Sequence, residues 1–131
     1  MSEMFSDEWM KKFQEEWNAE PTLSDELAKI NFSSVIGYGF KGEDQASGYI
    51  KVENGKVTEA GQYDGQSLNW DMRADSDNWQ KWFQKEMGMT GLGMAVTTGK
   101  LKFNEGDFKA MVKDPRMAGP FVKSFTVMGR V

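Results

Sequence analysis

Proton transfer or metal binding in this chain would have to rely on carboxylates, lysines or tyrosines, because its 131 residues include no His and no Cys. That removes the commonest general base and metal ligand, together with thiolate nucleophiles and zinc–thiolate sites. Two carboxylate pairs stand close in sequence, Glu15 with Glu16 and Asp71 with Asp75. Acid–base work needs one member of such a pair buried with a raised pKa. Both pairs fall on faces expected to meet solvent, so they read as solvating charge. Asp75, Asp77 and Glu86 match the first, third and twelfth places of a calcium loop, but Trp79 stands at the fifth and Gln80 replaces the turn glycine. A helix cap at Asp75 or Ser76 explains the same residues more simply.

Two glycine patterns point toward phosphate and then fail. Gly37-Tyr-Gly39-Phe-Lys-Gly42 has the spacing of a dinucleotide fingerprint, which requires a helix to follow. The continuation Glu43-Asp-Gln-Ala-Ser-Gly48 is acidic and turn-forming, so a Gly-rich strand is expected. Gly93 to Lys100 approaches a phosphate loop, but five residues separate Gly93 from Gly99, and Leu101 stands where a magnesium-binding hydroxyl belongs.

The elements that would position any site follow from periodicity and punctuation. Ser6 caps a first helix with Asp7 and Glu8 in its opening turn, and Phe5, Trp9, Phe13 and Trp17 form an apolar stripe that ends before Pro21. A shorter helix is expected from about Ser24, with Leu23, Leu27 and Ile30 on one side. Four β-prone runs follow, at Ser34 to Phe40, Gly48 to Glu53, Lys56 to Tyr63 and Ser67 to Ala74, and they suggest an antiparallel meander. Asn54-Gly55 suits a two-residue type I′ turn. In the fourth run Leu68, Trp70, Met72 and Ala74 alternate with Asn69, Asp71 and Arg73, which predicts one oily and one wet face. A capped helix should then run to about Met87, a short helix lie near Leu92 to Val96, and a fifth strand cover Lys100 to Asn104. Gly106-Asp107 leads into a helix carrying Phe108, Met111 and Val112, and beyond Pro115 an apolar tail should pack as a final helix or lid.

Between Met87 and Gly99 thirteen residues pass without a charge, in a chain of net charge −4. Nine Phe, five Trp and ten Met supply bulk, and unbranched thioethers adapt to irregular contents. A fold of this length buries roughly two-thirds of its unfolded surface, so residues 1–131 are read as a single domain with an N-terminal amphipathic helix over 1–20. The negative charge opposes nucleic acid and anionic headgroups as main partners. Met1-Ser-Glu-Met-Phe-Ser-Asp-Glu lacks the basic start and apolar core of a secretory signal, and no run approaches the ~20 apolar residues of a membrane span. A cytoplasmic location without stable membrane insertion is therefore expected.

The strand Ser67 to Ala74, the helix start Ala74-Asp75-Ser-Asp-Asn-Trp79, the uncharged segment, Gly99-Lys-Leu-Lys-Phe103, Gly106-Asp107-Phe108 and the oily tail together resemble the sterol carrier protein family, also called the nonspecific lipid-transfer or sterol-binding domain. The resemblance covers roughly residues 20 to 128, and the Gly-rich hairpins at Gly37 to Gly48 depart from it. It implies an α+β fold, a mixed, mainly antiparallel five-stranded sheet with helices on one face and a hydrophobic tunnel between. It also implies non-catalytic binding of a sterol or isoprenoid-like lipid, a fatty acid or a fatty acyl-CoA, with no cofactor and no metal. The positions it places along the tunnel are Trp70 and Met72 on the strand, Trp82, Phe83 and Met87 on the helix, Leu92, Met94 and Ala95 in the uncharged segment, and Phe121 and Phe125 in the lid. Eight buried methylenes at ~0.8 kcal/mol each would contribute ~6 kcal/mol before association costs, with little discrimination by chain length. The alternative expectation is a homodimerising or accessory interaction module that partners a lipid- or acyl-handling enzyme.

Overall fold

The computed structural model describes residues 3–85 and 88–131. Helix α1 (Asp7–Asn18) begins where Ser6 Oγ accepts the Trp9 backbone N–H at 3.2 Å, and its stripe of Trp9, Met10, Phe13 and Trp17 is buried. Pro21 does more than end that helix. Proline suits the first helical position, and α2 (Pro21–Lys29) starts there under a Glu20 cap, three residues earlier than the sequence suggested.

Glu20 also accepts from Arg130 at the far end of the chain, 2.7 Å away. Thr22 and Arg130 hold its carboxyl down at about 2, from an ordinary 4.5. A depressed carboxyl contributes stability that is fully present above its unfolded pKa and lost as pH falls through the folded value. Stability should therefore fall between about pH 4.5 and pH 2 through this group, and Glu20→Gln should flatten that part of a pH–stability profile measured by urea unfolding. Arg130 is 42% exposed, so the variant should cost less than ~1 kcal/mol at neutral pH.

The sheet contains β1 (Ser34–Phe40), β2 (Gly48–Glu53), β3 (Lys56–Gln62), β4 (Trp70–Ala74) and β5 (Lys102–Glu105) in the order β3-β2-β1-β4-β5. The first three strands form the expected meander, closed by Asn54 and Gly55 at φ 50° and 86°, the left-handed pair that a type I′ turn requires. The fourth does not continue it. β4 lies on the other side of β1 and parallel to it, with Ile36 opposite Trp70 and Tyr38 opposite Met72. Asn69 leads it into register by exchanging two hydrogen bonds with the Val35 backbone.

Edge strand β3 has its backbone groups covered by α1, whose Asn18 side chain both donates to and accepts from Val57 while Asp7 accepts from Gln62. Helices α3 (Ser76–Gln84), α4 (Met89–Thr97), α5 (Phe108–Lys113) and α6 (Pro115–Met128) complete the helical layer, with α6 packed against α1, α2, α3, α4 and α5. Trp79 of α3 sits at its centre, fully buried, and donates its indole N–H to the Gly39 carbonyl at 2.9 Å.

The opposite face of β4 corrects the sequence reading. Asp71 and Arg73 were expected to be wet, yet both are buried. The Arg73 guanidinium grips Asp71 through two bonds of 2.7 and 3.0 Å and donates a third to the Glu43 carbonyl, so the loop after β1 folds down over the pair. Gly37 and Gly39 make room, since a Cβ at Gly39 would lie 3.1 Å from both Ala46 and Arg73. These glycines therefore serve sheet packing. Asp71→Ala leaves the guanidinium buried without its partner and should cost about 3–5 kcal/mol in chemical denaturation.

Candidate apolar ligand site

The described residues leave a small apolar cavity of about 30 Å³ between the sheet and the α2–α6 roof. Its floor is Ile36 and Tyr38 of β1 and Trp70 of β4. The parallel β1–β4 pairing creates that floor, because it sets Ile36 beside Trp70. Trp17, Leu27 and Phe32 form one wall, and Met111, Met117, Phe121 and Ser124 form the roof.

Trp70 is positioned from both sides. Phe103 meets it edge-on with ring centroids 5.8 Å apart, and Phe121 lies 6.5 Å away. Beneath the ring runs Gly106 at φ 108°, where an added Cβ would come within 2.3 Å of the indole. Only glycine allows that approach.

The polar groups of the lining are spoken for or neutral. Ser124 Oγ donates to the Phe121 carbonyl within its own helix, and the Trp17 indole donates to Gly55 O at 2.9 Å. Burial pushes the Tyr38 phenol well above its ordinary pKa, so at neutral pH it carries no charge. Among the described residues the lining contains no carboxylate and no amine. Among the described residues no group of acids is placed to hold a metal ion.

Of the residues expected along a tunnel, Trp70 and Phe121 line this cavity. Met72, Leu92, Ala95 and Phe125 are buried in the same core without bordering the space. Trp82 and Phe83 are half-buried and join Trp79 in an aromatic cluster, with Trp82 edge-on to Trp79 at 5.4 Å. Met94 is 62% exposed and faces solvent, because Leu92 and Ala95 are the residues α4 turns inward. Met87 lies outside the described residues. Sequence reasoning missed Trp17, Leu27, Phe32, Ile36, Tyr38, Met111, Met117 and Ser124 as lining. The α1 stripe and the Leu23–Leu27 side of α2 stand out in the sequence as apolar faces, but periodicity does not say what such a face packs against.

By sequence, no protein-family model and no curated protein matches this chain. Solved structures do match. The crystal structure of sterol carrier protein 2 is 15% identical, with 98% of this chain and 99% of that chain covered at a TM-score of 0.75. A conserved hypothetical protein of Thermus thermophilus, solved in solution and described as possibly a sterol carrier protein, is 16% identical over 96% of this chain and 90% of that chain, with a TM-score of 0.68. The UbiJ-SCP2 ubiquinone synthesis protein is 12% identical over 93% and 88%, with a TM-score of 0.60. No described helix is long and apolar enough to cross a membrane. With its mixed, mostly antiparallel five-stranded sheet and one helical layer, the chain has the sterol carrier protein fold.

Proposed function

We propose that the protein binds and carries a lipid in the cytoplasm without catalysis, and that the lipid's tail occupies the space between β1, β4 and the α2–α6 roof. The observation that carries this reading is the lining itself, aromatic, aliphatic and thioether side chains with one internally bonded serine hydroxyl and, among the described residues, no charged group. Such a wall suits a hydrocarbon tail and offers nothing to abstract a proton. The sterol carrier protein fold supports the same class of ligand.

The cavity as it stands has room for about one water, so a tail can enter only if the roof moves. Three features of the roof support that reading. Helix α6 carries Pro120 in its interior, where the missing N–H removes one rung of the helical ladder. The α5–α6 joint at Asp114 is a single residue, with its carboxylate capping the new helix at the Arg116 N–H. Met111 and Met117, on either side of that joint, are side chains that repack with little penalty.

Titration with a fluorescent polyene fatty acid, together with native mass spectrometry of the purified protein, tests the proposal. Saturable micromolar binding or a copurified amphiphile is expected. The absence of both would overturn it.

A further inference from the structure

A tyrosine or tryptophan buried in a core ordinarily finds a hydrogen-bond partner for its polar handle. The Trp17 and Trp79 indoles follow that rule, each donating to a backbone carbonyl at 2.9 Å, and the Tyr63 hydroxyl donates to the Gln66 carbonyl at 2.8 Å. Tyr38 departs from it. The residue is 1% exposed, yet among the described residues its hydroxyl has no hydrogen-bond partner, and burial alone raises its pKa.

The neighbours of the ring indicate where that hydroxyl is turned. Phe5 stacks on Tyr38 with centroids 5.7 Å apart and Phe13 meets it edge-on at 5.8 Å, and neither takes part in the cavity lining. Tyr38 nevertheless borders the cavity, so the end of its side chain is what these packed faces leave to meet the space. The Thr126 hydroxyl also lacks a partner among the described residues, but it is sealed by protein atoms and Thr126 is no part of the lining. An unpaired buried donor is destabilising, and a guest that brings an acceptor removes the deficit.

The rest of the lining restricts what that acceptor can be. A carboxylate or phosphate would be buried there with no counter-charge among the described residues, which is expensive. Ser124 adds no second donor, because its proton is held by the Phe121 carbonyl and its oxygen can only accept. A neutral oxygen fits both conditions.

We infer that Tyr38 is the polar anchor of the cavity, donating its O–H to a neutral hydroxyl or carbonyl oxygen carried on the buried part of the lipid. The inference rests on the carrier reading and narrows it to a neutral oxygenated lipid. A plain hydrocarbon tail, including that of a fatty acid, fills the same space but leaves this bond unmade.

Displacement of the fluorescent fatty acid by a long-chain methyl ketone and by the hydrocarbon of equal length, from wild type and from Tyr38→Phe, tests the anchor. Taking the ratio of the two affinities in each protein cancels the different hydration of the two ligands. The ketone's advantage should be at least about threefold larger in wild type than in Tyr38→Phe, the worth of one hydrogen bond. The infrared carbonyl stretch of the bound ketone should lie at lower frequency in wild type, a readout that a purely structural role for the hydroxyl would not move. Without ligand, Tyr38→Phe should unfold at a urea concentration equal to or above that of wild type, because it deletes a group that has no partner. An unchanged ratio with an unshifted carbonyl overturns the inference while leaving the carrier reading intact. So does a destabilised ligand-free variant, since the hydroxyl would then already have a partner such as a resident water. If wild type takes up none of the three probes, the carrier reading itself fails and the anchor with it.

Discussion

Trp79→Ala should unfold the protein at a much lower urea concentration than wild type, with a loss of about 3–5 kcal/mol. Two effects combine at this residue. Its ring is fully buried between layers, with centroids 5.1 Å from Phe5, 5.4 Å from Trp82 and 6.0 Å from Phe125, so truncation opens a void bordered at once by the segment leading into α1, by α3 and by α6. Its indole N–H also satisfies Gly39 O near the end of β1, which would be left buried without that partner. A domain stable by about 5–15 kcal/mol has little in reserve after such a loss. Trp79→Phe separates the two contributions, since it keeps most of the ring and deletes the donor, and about 1–3 kcal/mol is expected there. A Trp79→Ala midpoint close to that of wild type would mean that the layers are not pinned together at this residue.

The importance of Trp79 illustrates what the sequence can and cannot convey. Local signals read well: β1 and β2 have the expected bounds, Asn54-Gly55 forms its turn, and the uncharged segment near Leu92 is a helix. The parallel seating of β4 did not read, because alternation reports which residues share a face and not which strand lies alongside. That one topological fact sets Ile36 beside Trp70 and so builds the cavity floor out of an N-terminal strand that composition gave no reason to choose. Asp71 and Arg73 were misread for a related reason. Their period assigns them to the second face correctly, but a loop thirty residues upstream in sequence, at Glu43, covers that face. Period cannot anticipate a cover supplied from elsewhere in the chain. Met94 faces solvent for a different reason, because Gly91 and Gly93 flank Leu92 and leave α4 a narrow apolar stripe whose direction is hard to read.

Ile36→Phe should lower affinity for a fatty-acid probe at least about tenfold while leaving the protein folded. Ile36 is 5% exposed, lies on the cavity floor and stands opposite Trp70, so extra bulk there has no outlet except the cavity of about 30 Å³. Overpacking at such a site costs about 1–3 kcal/mol of stability, which a domain of this size survives. The same bulk blocks the position proposed for the tail, and a tenfold loss corresponds to about 1.4 kcal/mol, less than two of the methylenes a tail would bury. Phe121→Ala should act in the opposite direction. It removes a half-buried ring from the roof, between Trp70 and Phe125, and gives the tail room without requiring α6 to move as far. Opposite shifts from a floor residue and a roof residue, read in one titration with melting curves alongside, would place the tail between them. Unchanged affinity in both would place it elsewhere in the molecule, because no ligand occupying this space could be indifferent to both of its walls.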